Sequence, residues 1–592
     1  MPHHANMVST RDRSRSRRRT SKFFRRRATR ATQLPLQAPR LRLMMVWGLL
    51  LFSMVGLTVQ LAQLQLEEGP ELLAMAREQQ KIYSVSRAAR RPVIDSQGNV
   101  VAVDRMVYTL FVHPSMFNQP LPEVASQLSS LVEIEPTALL EQFGQQETGI
   151  RVAGNLSEET AKRIRGLQLD GIDLLPAQQR LYPHQELLAQ VVGYIDYDGT
   201  AQAGLEYSYQ DQLLYEEPDQ TPGLAGLPPV VAKDDQSLQL TIDSRLQRVA
   251  QRNLASTLAQ HRAKRGTVLV MDSASGEILA MAVSPTYDPN RYYDADVEQF
   301  KNWAVSDLYE PGSTFKPINI AIALEAGVIN PDDQLYDEGR IPYEGWTIQN
   351  SDFSVSGGHG TISITDVLRY SSNVGMVHIM EGMDREAYYS ALEALGLGQE
   401  TGVDLPAETA GQLKDRSEFV SKGIEAATTA FGQGFSLTPM QMLQLQATLA
   451  NGGKLVTPHV VRGLVNQAGE LTWQPQRPAP KQVFDPSVSQ QVLEMMEAVV
   501  KDGTGKPAQI SGYRIAGKTG TAQKANEFGQ YGNQRITSFV SIVPVDDPRY
   551  VVLAVIDEPQ GDNAYGSTVA APLVKSVIES LLVFERVPPQ GS

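Results

Sequence analysis

The chain contains no cysteine, and this absence limits the sites that it can build. Its 592 residues include eight histidines and no Cys. Neither a disulfide framework nor a thiolate zinc site can therefore form. The histidines show no metal-ligand spacing, and His359, which stands between glycines, is predicted to be a loop residue. An exported protein of this composition needs no oxidative folding.

Positive charge is concentrated at the beginning of the chain. Residues 1–42 carry 13 Lys and Arg and one acid, a net charge of +12, whereas the remainder carries 40 basic and 65 acidic residues, a net charge of −25. Such a tail could bind nucleic acid, but it has no interleaved aromatic pattern beyond Phe23 and Phe24. We therefore expect no nucleic-acid partner and predict that 1–42 is a disordered cytoplasmic tail attracted to anionic lipid.

One long apolar run follows the basic tail. Residues 43–65 are predominantly apolar and uncharged, which is long enough to span roughly 30 Å of hydrocarbon. A cleaved signal peptide is the alternative, but the run exceeds its usual apolar length and lacks a small-x-small site. The pattern therefore predicts a single uncleaved transmembrane helix, with the N-terminus in the cytoplasm because the positive charge precedes it.

The remaining chain divides into two predicted folding units. Residues 66–232 mix strand and helix patterns, with a strand over 100–112 and helices over 122–131 and 158–164, and indicate an α+β pedestal without a nucleophile. Residues 233–585 are predicted to be a catalytic domain. Its predicted strands are 266–272, 278–283, 537–543 and 550–556, and its predicted helices are 440–449 and 489–500. This order favours a mainly antiparallel sheet flanked by helices.

A serine and a lysine at helical spacing carry the chemistry. Ser313 and Lys316 lie three residues apart, which in a helix puts their Cβ atoms roughly 5–6 Å apart on one face. An alcohol is a poor nucleophile at neutral pH and needs a nearby base to take its proton. Glu310-Pro311-Gly312 predicts a turn before the helix, so that backbone N–H groups at the helix start would surround the serine.

Two further motifs follow in the chain. Lys518-Thr519-Gly520-Thr521 is predicted to be an edge strand beside the serine, where Gly520 lets a substrate backbone lie close and the Thr521 N–H completes an oxyanion hole. Ser371 and Asn373 are expected on a short loop before a helix, reaching the site from a third side. Lys524 is predicted to lie on a surface loop over 524–535, and Met376 to pack in the core.

This ordered set resembles a known family. Together with Ser-Ser-Asn in the middle position, the motifs are similar to those of penicillin-binding proteins. The chain from 43 to 582 resembles the class B penicillin-binding proteins, the monofunctional peptidoglycan D,D-transpeptidases. Further segments that carry the likeness are 240–243, 276–281, 309–312, 401–406, 431–434, 450–453 and 503–505 in the catalytic half, and 180–183 and 204–206 upstream. Arg91 and Ser96 depart from the family pattern. Both residues lie in the predicted pedestal, so the departure does not concern the catalytic motifs.

The resemblance implies a mechanism. Ser313 would attack the bond between two terminal D-Ala residues of a stem peptide carried on lipid II-derived glycan strands, with Lys316 as base and Ser371 protonating the leaving D-Ala. Lys518 and Thr519 would bind the substrate carboxylate, and Asn373 would orient the donor. β-Lactams would trap Ser313 as an ester. The fold would be that of the penicillin-recognising serine transferases, without metal or organic cofactor.

The cellular role is predicted from the same resemblance. Asn373 is typical of septal, FtsI-type enzymes, whereas elongation-specific relatives more often have Asp there. The implied location is the bacterial inner membrane with a periplasmic catalytic domain, and the implied partners are a SEDS-family glycosyltransferase and other divisome membrane proteins. The alternatives are an elongation-specific transpeptidase, a D,D-carboxypeptidase or β-lactamase, and a divisome scaffold or β-lactam sensor with secondary catalysis.

Overall fold

The computed structural model describes residues 38–64, 89–215, 234–525 and 531–589. The chain separates into two units, 1–85 and 86–592, and each is described by itself. The predicted tail lies outside the described residues except for 38–42, as do the Pro- and Gly-rich segment 216–233 and the tip 526–530 of the loop predicted over 524–535.

The first unit contributes a single described helix, α1 (Ala38–Gln63). It begins before the predicted Leu43, and its residues 42–63 have a mean hydropathy of 1.9 with none of that stretch buried. An unpartnered apolar helix of this length is suited to the bilayer. A second long apolar helical stretch, Gly566–Phe584, is half buried in the second unit and packs there as a core helix.

The second unit mixes strands and helices along its whole length. The strands are β1 (Ala89–Arg90), β2 (Val93–Ile94), β3 (Val100–Val112), β4 (Ile150–Leu156), β5 (Ile172–Leu181), β6 (Leu214–Tyr215), β7 (Ser237–Leu240), β8 (Arg265–Asp272), β9 (Ile278–Ser284), β10 (Gln334–Asp337), β11 (Arg340–Tyr343), β12 (Trp346–Gln349), β13 (Gly360–Ser363), β14 (Lys454–Leu455), β15 (Val461–Val465), β16 (Leu471–Trp473), β17 (Lys481–Gln482), β18 (Ala516–Ala525), β19 (Tyr531–Val543) and β20 (Tyr550–Asp557). The helices after α1 are α2 (Leu121–Val132), α3 (Pro136–Phe143), α4 (Glu158–Gly166), α5 (Ala189–Val192), α6 (Gly204–Ser208), α7 (Gln210–Leu213), α8 (Ser244–His261), α9 (Trp303–Ser306), α10 (Lys316–Glu325), α11 (Phe353–Ser356), α12 (Ile364–Tyr370), α13 (Asn373–Glu381), α14 (Arg385–Ala394), α15 (Arg416–Ser421), α16 (Gly423–Ala430), α17 (Pro439–Ala450), α18 (Pro486–Asp502) and α19 (Ala571–Phe584). Short 3₁₀ turns occupy Pro114–Met116, Gln185–Leu188, Pro289–Asp294, Val297–Phe300, Gly312–Phe315 and Lys506–Ala508, and a π turn occupies Gly566–Ala570.

A five-stranded antiparallel sheet is the centre of the catalytic half. Its order is β18-β19-β20-β8-β9, so β18 is an edge strand, as the sequence predicts. Every residue of β20 is buried. Val552, Ala554 and Ile556 face a core shared with α8 and α19, whereas the alternate residues of the strand face the core that contains α10 and α17. The period of two thus covers both faces with helices, which confirms the predicted fold.

A second sheet joins the two halves of this unit. Its order is β16-β15-β7-β2-β3-β4, with β5 also paired to β3. Strands β2 and β7 pair in parallel, and β15 comes from far along the catalytic half. On β3, β4 and β5 the sheet continues into a separate small core with α2, α3 and α4. The predicted pedestal and catalytic domain therefore share backbone hydrogen bonds.

A buried cluster of charged residues connects the two upstream segments, 180–183 and 204–206, to each other. The Arg180 guanidinium lies 2.7 Å from Glu206 Oε1 and 3.1 Å from Asp104 Oδ1, and Arg90 lies 2.7 Å from Glu206 Oε2. Burial disfavours the charged form of Glu206, but Arg180 and Arg90 outweigh it and lower the pKa of that carboxyl. Arg91, the atypical residue beside this cluster, pairs with Asp234.

Removing one member of this cluster leaves an uncompensated buried charge. We expect Arg180→Ala to lower the stability of the protein by about 3–5 kcal/mol. Lys162→Ala breaks a solvent-exposed pair with Glu158 and serves as the control, with no measurable change in stability expected. Chemical denaturation followed by circular dichroism measures both, and equal effects of the two variants would contradict this account.

Candidate active site

The predicted nucleophile lies at the start of a buried helix. Ser313 belongs to the 3₁₀ turn Gly312–Phe315, and α10 follows directly with Lys316 as its first residue and Pro317 in its first turn. Proline is accepted there because the first N–H groups of a helix have no intrahelical partner. The Thr314 hydroxyl donates to Pro311 O at 2.7 Å and closes the turn.

The Lys316 side chain joins the first motif to the second. It is fully buried, and its Nζ donates to Ser371 O at 2.6 Å and to Asn373 Oδ1 at 2.8 Å. The Ser371 hydroxyl lies 3.3 Å from the same nitrogen. Both acceptors are neutral, so the amine is hydrogen-bonded without being fixed as a cation.

Lys518 brings the third motif to the same hydroxyl. Its side chain is fully buried, and Nζ donates to Ser371 Oγ at 2.9 Å. The Ser371 hydroxyl therefore lies between two lysines. Ser371 adopts a left-handed conformation at φ 61°, after the last residue of α12, which turns the chain so that its side chain and carbonyl both reach Lys316.

Ser371 lies in a short connection before a helix, as predicted, but Asn373 is already part of that helix. Ser372 caps α13 by accepting from Gly375 N at 2.8 Å, and Asn373 is the first residue of that helix. The Asn373 side chain is fixed at both ends, because its Nδ2 donates to Gln349 O at 2.9 Å. A helix start rather than a loop thus presents Asn373 to Lys316.

The two lysines are unlike ordinary lysines. Burial, and then the charge of Lys518, hold the pKa of Lys316 well below its usual range, against the opposing effect of Asp337 and Asp352. Burial alone lowers the pKa of Lys518 to about 7. The arrangement favours a neutral Lys316 beside a Lys518 that can still carry a proton near neutral pH.

The edge strand β18 runs past the nucleophile turn. A Cβ on Gly520 would lie 3.0 Å from Thr314 Cγ2 and 2.4 Å from Ser538 Oγ, so glycine permits this close approach. The Thr519 hydroxyl lies 2.9 Å from that of Thr504, and the exposed Thr521 accepts from Gly566 N at 3.1 Å through Oγ1. Thr519, Gly520 and Thr521 thus lie beside the turn that contains Ser313.

Several residues around the site carry no sequence motif. Gln446 donates from Nε2 to Thr314 O at 3.0 Å, and Asn350 accepts from Asn373 N at 2.8 Å. Asp337 lies behind Asn350, at 2.9 Å from its Nδ2. These side chains carry no sequence signal, because only the fold reveals which backbone groups they serve.

One sequence prediction about this region is wrong. The sequence predicts a surface loop for Lys524, but this residue lies in β18, and its ammonium lies 3.0 Å from the buried Asp557 and 2.7 Å from Glu558. The hairpin β18–β19 continues beyond the predicted end of the strand, and the carboxylates of β20 and the residue after it hold the lysine against the sheet. Met376 is buried in the core, as predicted.

His359 lies on a loop, as predicted, and its ring stacks on Tyr370 at 4.6 Å. Across the described ranges, no group of three or more His, Cys, Asp or Glu residues is arranged to hold a metal ion.

Two domain families match the chain. The penicillin binding protein transpeptidase domain matches residues 266–579, which contain all three motifs, and the penicillin-binding protein dimerisation domain matches residues 85–228. The first match covers nearly all of the five-stranded sheet, and the second covers the small core of β3, β4 and β5.

Whole-chain relatives agree with these domains. A peptidoglycan D,D-transpeptidase FtsI homolog from Mesostigma viride is 39% identical over 93% of this chain and 96% of its own length. Another from Chlorokybus atmophyticus is 36% identical over 93% of this chain and 97% of its own length. The crystal structure of penicillin binding protein 3 from Mycobacterium tuberculosis, complexed with aztreonam, is 28% identical, with a TM-score of 0.66 over 85% of this chain and 99% of that one. With its three motifs in contact with one another and both domains in order, the chain belongs to the class B penicillin-binding proteins, the FtsI-type peptidoglycan D,D-transpeptidases.

Proposed function

We propose that Ser313 is the nucleophile of a D,D-transpeptidase that cross-links peptidoglycan stem peptides during septal wall synthesis. The observation that supports this most directly is the Lys316 side chain. It is fully buried, follows Ser313 by three residues, and is hydrogen-bonded to Ser371 and Asn373 beside Lys518. A buried amine among neutral acceptors can take the proton of a nearby alcohol.

Acylation begins when Ser313 Oγ attacks the carbonyl carbon between two terminal D-Ala residues. The Oγ–H proton passes to the neutral Lys316 amine as the C–O bond forms. The carbonyl oxygen becomes an oxyanion, which the backbone N–H groups of Ser313 and Thr521 stabilise. Ser313 stands just before the first turn of α10, and Thr521 lies on the edge strand.

Collapse of the oxyanion breaks the peptide C–N bond. The departing D-Ala amine needs a proton, and Ser371 supplies it through its hydroxyl while recovering one from the adjacent lysine. The 3.3 Å and 2.9 Å distances from Ser371 Oγ to Lys316 Nζ and Lys518 Nζ place the hydroxyl in such a relay. The free D-Ala leaves, and an ester to Ser313 remains.

The substrate is held at its carboxyl end and along its backbone. Lys518, as a cation, and the Thr519 hydroxyl bind the terminal carboxylate, and Asn373 orients the donor peptide. An amine of a neighbouring stem peptide then attacks the ester, transfers a proton through the same relay and releases Ser313. A β-lactam places its own acyl group and carboxylate in these positions and leaves a stable ester.

The chain acts at the inner membrane. In this proposal α1 anchors it with the N-terminus in the cytoplasm and the catalytic domain in the periplasm, and a SEDS-family glycosyltransferase and other divisome proteins are its partners. The apolar stretch 42–63 supports the anchor. Asn373, in contact with Lys316, and the FtsI-type relatives support the septal role over an elongation role.

The nucleophile is tested by intact-mass spectrometry of the full-length chain in detergent after incubation with benzylpenicillin. We expect a stable adduct on the wild type and none on Ser313→Ala, because the variant lacks the attacking oxygen. Drug consumption without an adduct would indicate a β-lactamase, and a folded wild type that does not react would contradict the proposal.

The septal role is tested in cells with the same variant, Ser313→Ala. A cell whose only copy is Ser313→Ala is expected to elongate without dividing. Rounded cells would indicate an elongation enzyme, and normal division would indicate a scaffold whose catalysis is secondary.

The pH dependence of acylation follows from the two lysines. Lys518 must be charged to bind a carboxylate, and its pKa is lowered to about 7. We therefore expect a bell-shaped pH profile for the second-order rate of acylation. The rate decreases as the pH rises through this region, and it also decreases at low pH, where Lys316 becomes protonated. Lys518→Arg keeps its charge, so its alkaline limb is expected at higher pH. A wild-type rate that rises continuously to pH of about 10, the usual range of lysine, would exclude these roles.

Packing behind the nucleophile is tested at Gly432. This residue has φ 84°, accepts from Gly312 N at 2.9 Å, and a Cβ on it would lie 2.0 Å from Gly312 O. Gly432→Ala is expected to displace the turn and slow acylation by about 10- to 100-fold. Gly469→Ala is the matched control, because Gly469 has φ 80° with nothing within 4 Å of its Cβ position. Equal acylation rates for the two variants would show that the turn tolerates the displacement.

A further inference from the structure

A buried acid and a buried amide lie behind the helix that carries Asn373. Asp337 is the last residue of β10, and Asn350 follows the last residue of β12. Asn350 Nδ2 donates to the two carboxylate oxygens of Asp337 at 3.0 Å and 2.9 Å. Gly339 N donates to the same carboxylate at 2.7 Å. Asp337 is 0% exposed and Asn350 is 1% exposed.

The other end of the amide holds the start of α13. Asn350 Oδ1 accepts from Asn373 N at 2.8 Å, from Val374 N at 3.1 Å and from the Ser372 hydroxyl at 3.2 Å. These N–H groups have no partner within the helix, so Asn350 supplies the acceptor they require. The amide orientation is fixed, because its Nδ2 must face the carboxylate.

The hairpin of β11 and β12, which lies between Asp337 and Asn350 in the chain, is held by hydrogen bonds at its turn. Strands β11 and β12 pair with Tyr343 opposite Trp346. Glu344, in the turn between them, accepts from Gly423 N at 3.1 Å and from Ile424 N at 3.0 Å at the start of α16. The position of Asn350 is therefore set by its strand as well as by its hydrogen bonds.

The Asp337 carboxylate is hydrogen-bonded by an amide and a backbone N–H. Within the part of the chain that the structure describes, no Lys, Arg or His nitrogen lies within 4.0 Å of its carboxylate. Three charges act on Lys316: Lys518 from β18, Asp337 from β10 and Asp352 from the residue before α11. Lys518 and burial oppose the protonated form of Lys316, and the two acids favour it.

We propose that Asp337, acting through Asn350, is a positioning residue for the catalytic lysine: the pair orients Asn373 toward Lys316 and places behind it the negative charge that sets the pH range of acylation. The proposal rests on the roles proposed above for Ser313 and Lys316. Asp337 and Asn350 touch no substrate and act only through α13. Burial of an acid without an ion pair costs stability, and its effect on Lys316 would offset that cost in function.

The charge is tested with Asp337→Asn, which keeps the shape and one acceptor oxygen. Acylation of the full-length chain by benzylpenicillin is followed by intact mass across a pH series. Without the carboxylate the pKa of Lys316 falls further, so the acidic limb of the rate profile is expected to move to lower pH. Asp95→Asn is the matched control. Asp95 is also fully buried and accepts from Asn99 Nδ2 and from backbone N–H groups, but it does not act on Lys316.

The exchange of the two residues provides a rescue. In the double variant Asp337→Asn/Asn350→Asp, the amide donates to the carboxylate at position 350, which accepts from the same N–H groups of α13. Both the geometry and the charge are retained, so the acidic limb is expected to return at least to the wild-type pH. A merely structural role would not move the limb in either variant.

The tether is tested separately with Asn350→Ala, which leaves Asp337 in place. Loss of the acceptor frees the start of α13 and is expected to slow acylation by about 10-fold or more at the optimum pH. Thermal unfolding shows whether each variant is folded. If Asp337→Asn does not fold, Asn350→Ala still tests the positioning role.

An acidic limb unchanged in folded Asp337→Asn, or a wild-type rate in folded Asn350→Ala, overturns the proposal. Absence of any adduct on the wild type overturns instead the function on which it rests, so the two failures are distinguishable.

Discussion

The site depends on keeping the Lys316 amine out of water. A fully buried lysine is rare because its charged form is poorly solvated in the interior, and most are stabilised by a carboxylate in contact. In this protein the contacts are Ser371 O and Asn373 Oδ1, both neutral. A carboxylate in either position would raise the pKa of the Lys316 amine and favour its ammonium form. The surrounding structure therefore has to bury the amine and satisfy its hydrogen bonds, and it has to keep carboxylates out of direct contact with the Lys316 nitrogen.

Three elements from distant parts of the chain meet this requirement together. α10 supplies Lys316, the start of α13 supplies its acceptors, and the edge strand β18 supplies the second lysine. The sequence separation between Lys316 and Ser371 is 55 residues, and that between Lys518 and Ser371 is 147 residues. The five-stranded sheet makes the meeting possible, because its two covered faces fix β18, which is the outermost strand of the sheet among the described residues. In the proposed mechanism, the edge that would be a liability in most proteins serves as the wall that binds the substrate.

The sequence predicts the parts of this arrangement that chemistry confines to particular residue types. A nucleophile, its base and the glycine of an edge strand can be found by spacing, and the strands predicted over 100–112 and 550–556 follow from their apolar patterns. Lys524 shows the limit of such prediction. The local sequence around a lysine is the same whether its side chain faces solvent or the buried Asp557. Asp337 and Asn350 show another, because capping of α13 across 23 residues depends on the path of a hairpin. The joining of β2 to β7 and β15 is likewise a long-range pairing without a local signal.

The two half-reactions share one proton path, and this restricts where selectivity can arise. In the proposed mechanism the proton of Ser313 reaches the leaving amine through Lys316 and Ser371, and by microscopic reversibility the incoming amine loses its proton along the same path. Water would use it equally well, since it too needs only an acceptor for one proton. The buried lysines therefore cannot distinguish an amine acceptor from water. Discrimination must come from groups that position the acceptor or exclude solvent, which lie outside Lys316, Ser371 and Lys518. We expect such groups near the exposed Thr521 and near the hairpin of β11 and β12, whose Gln349 O accepts from Asn373.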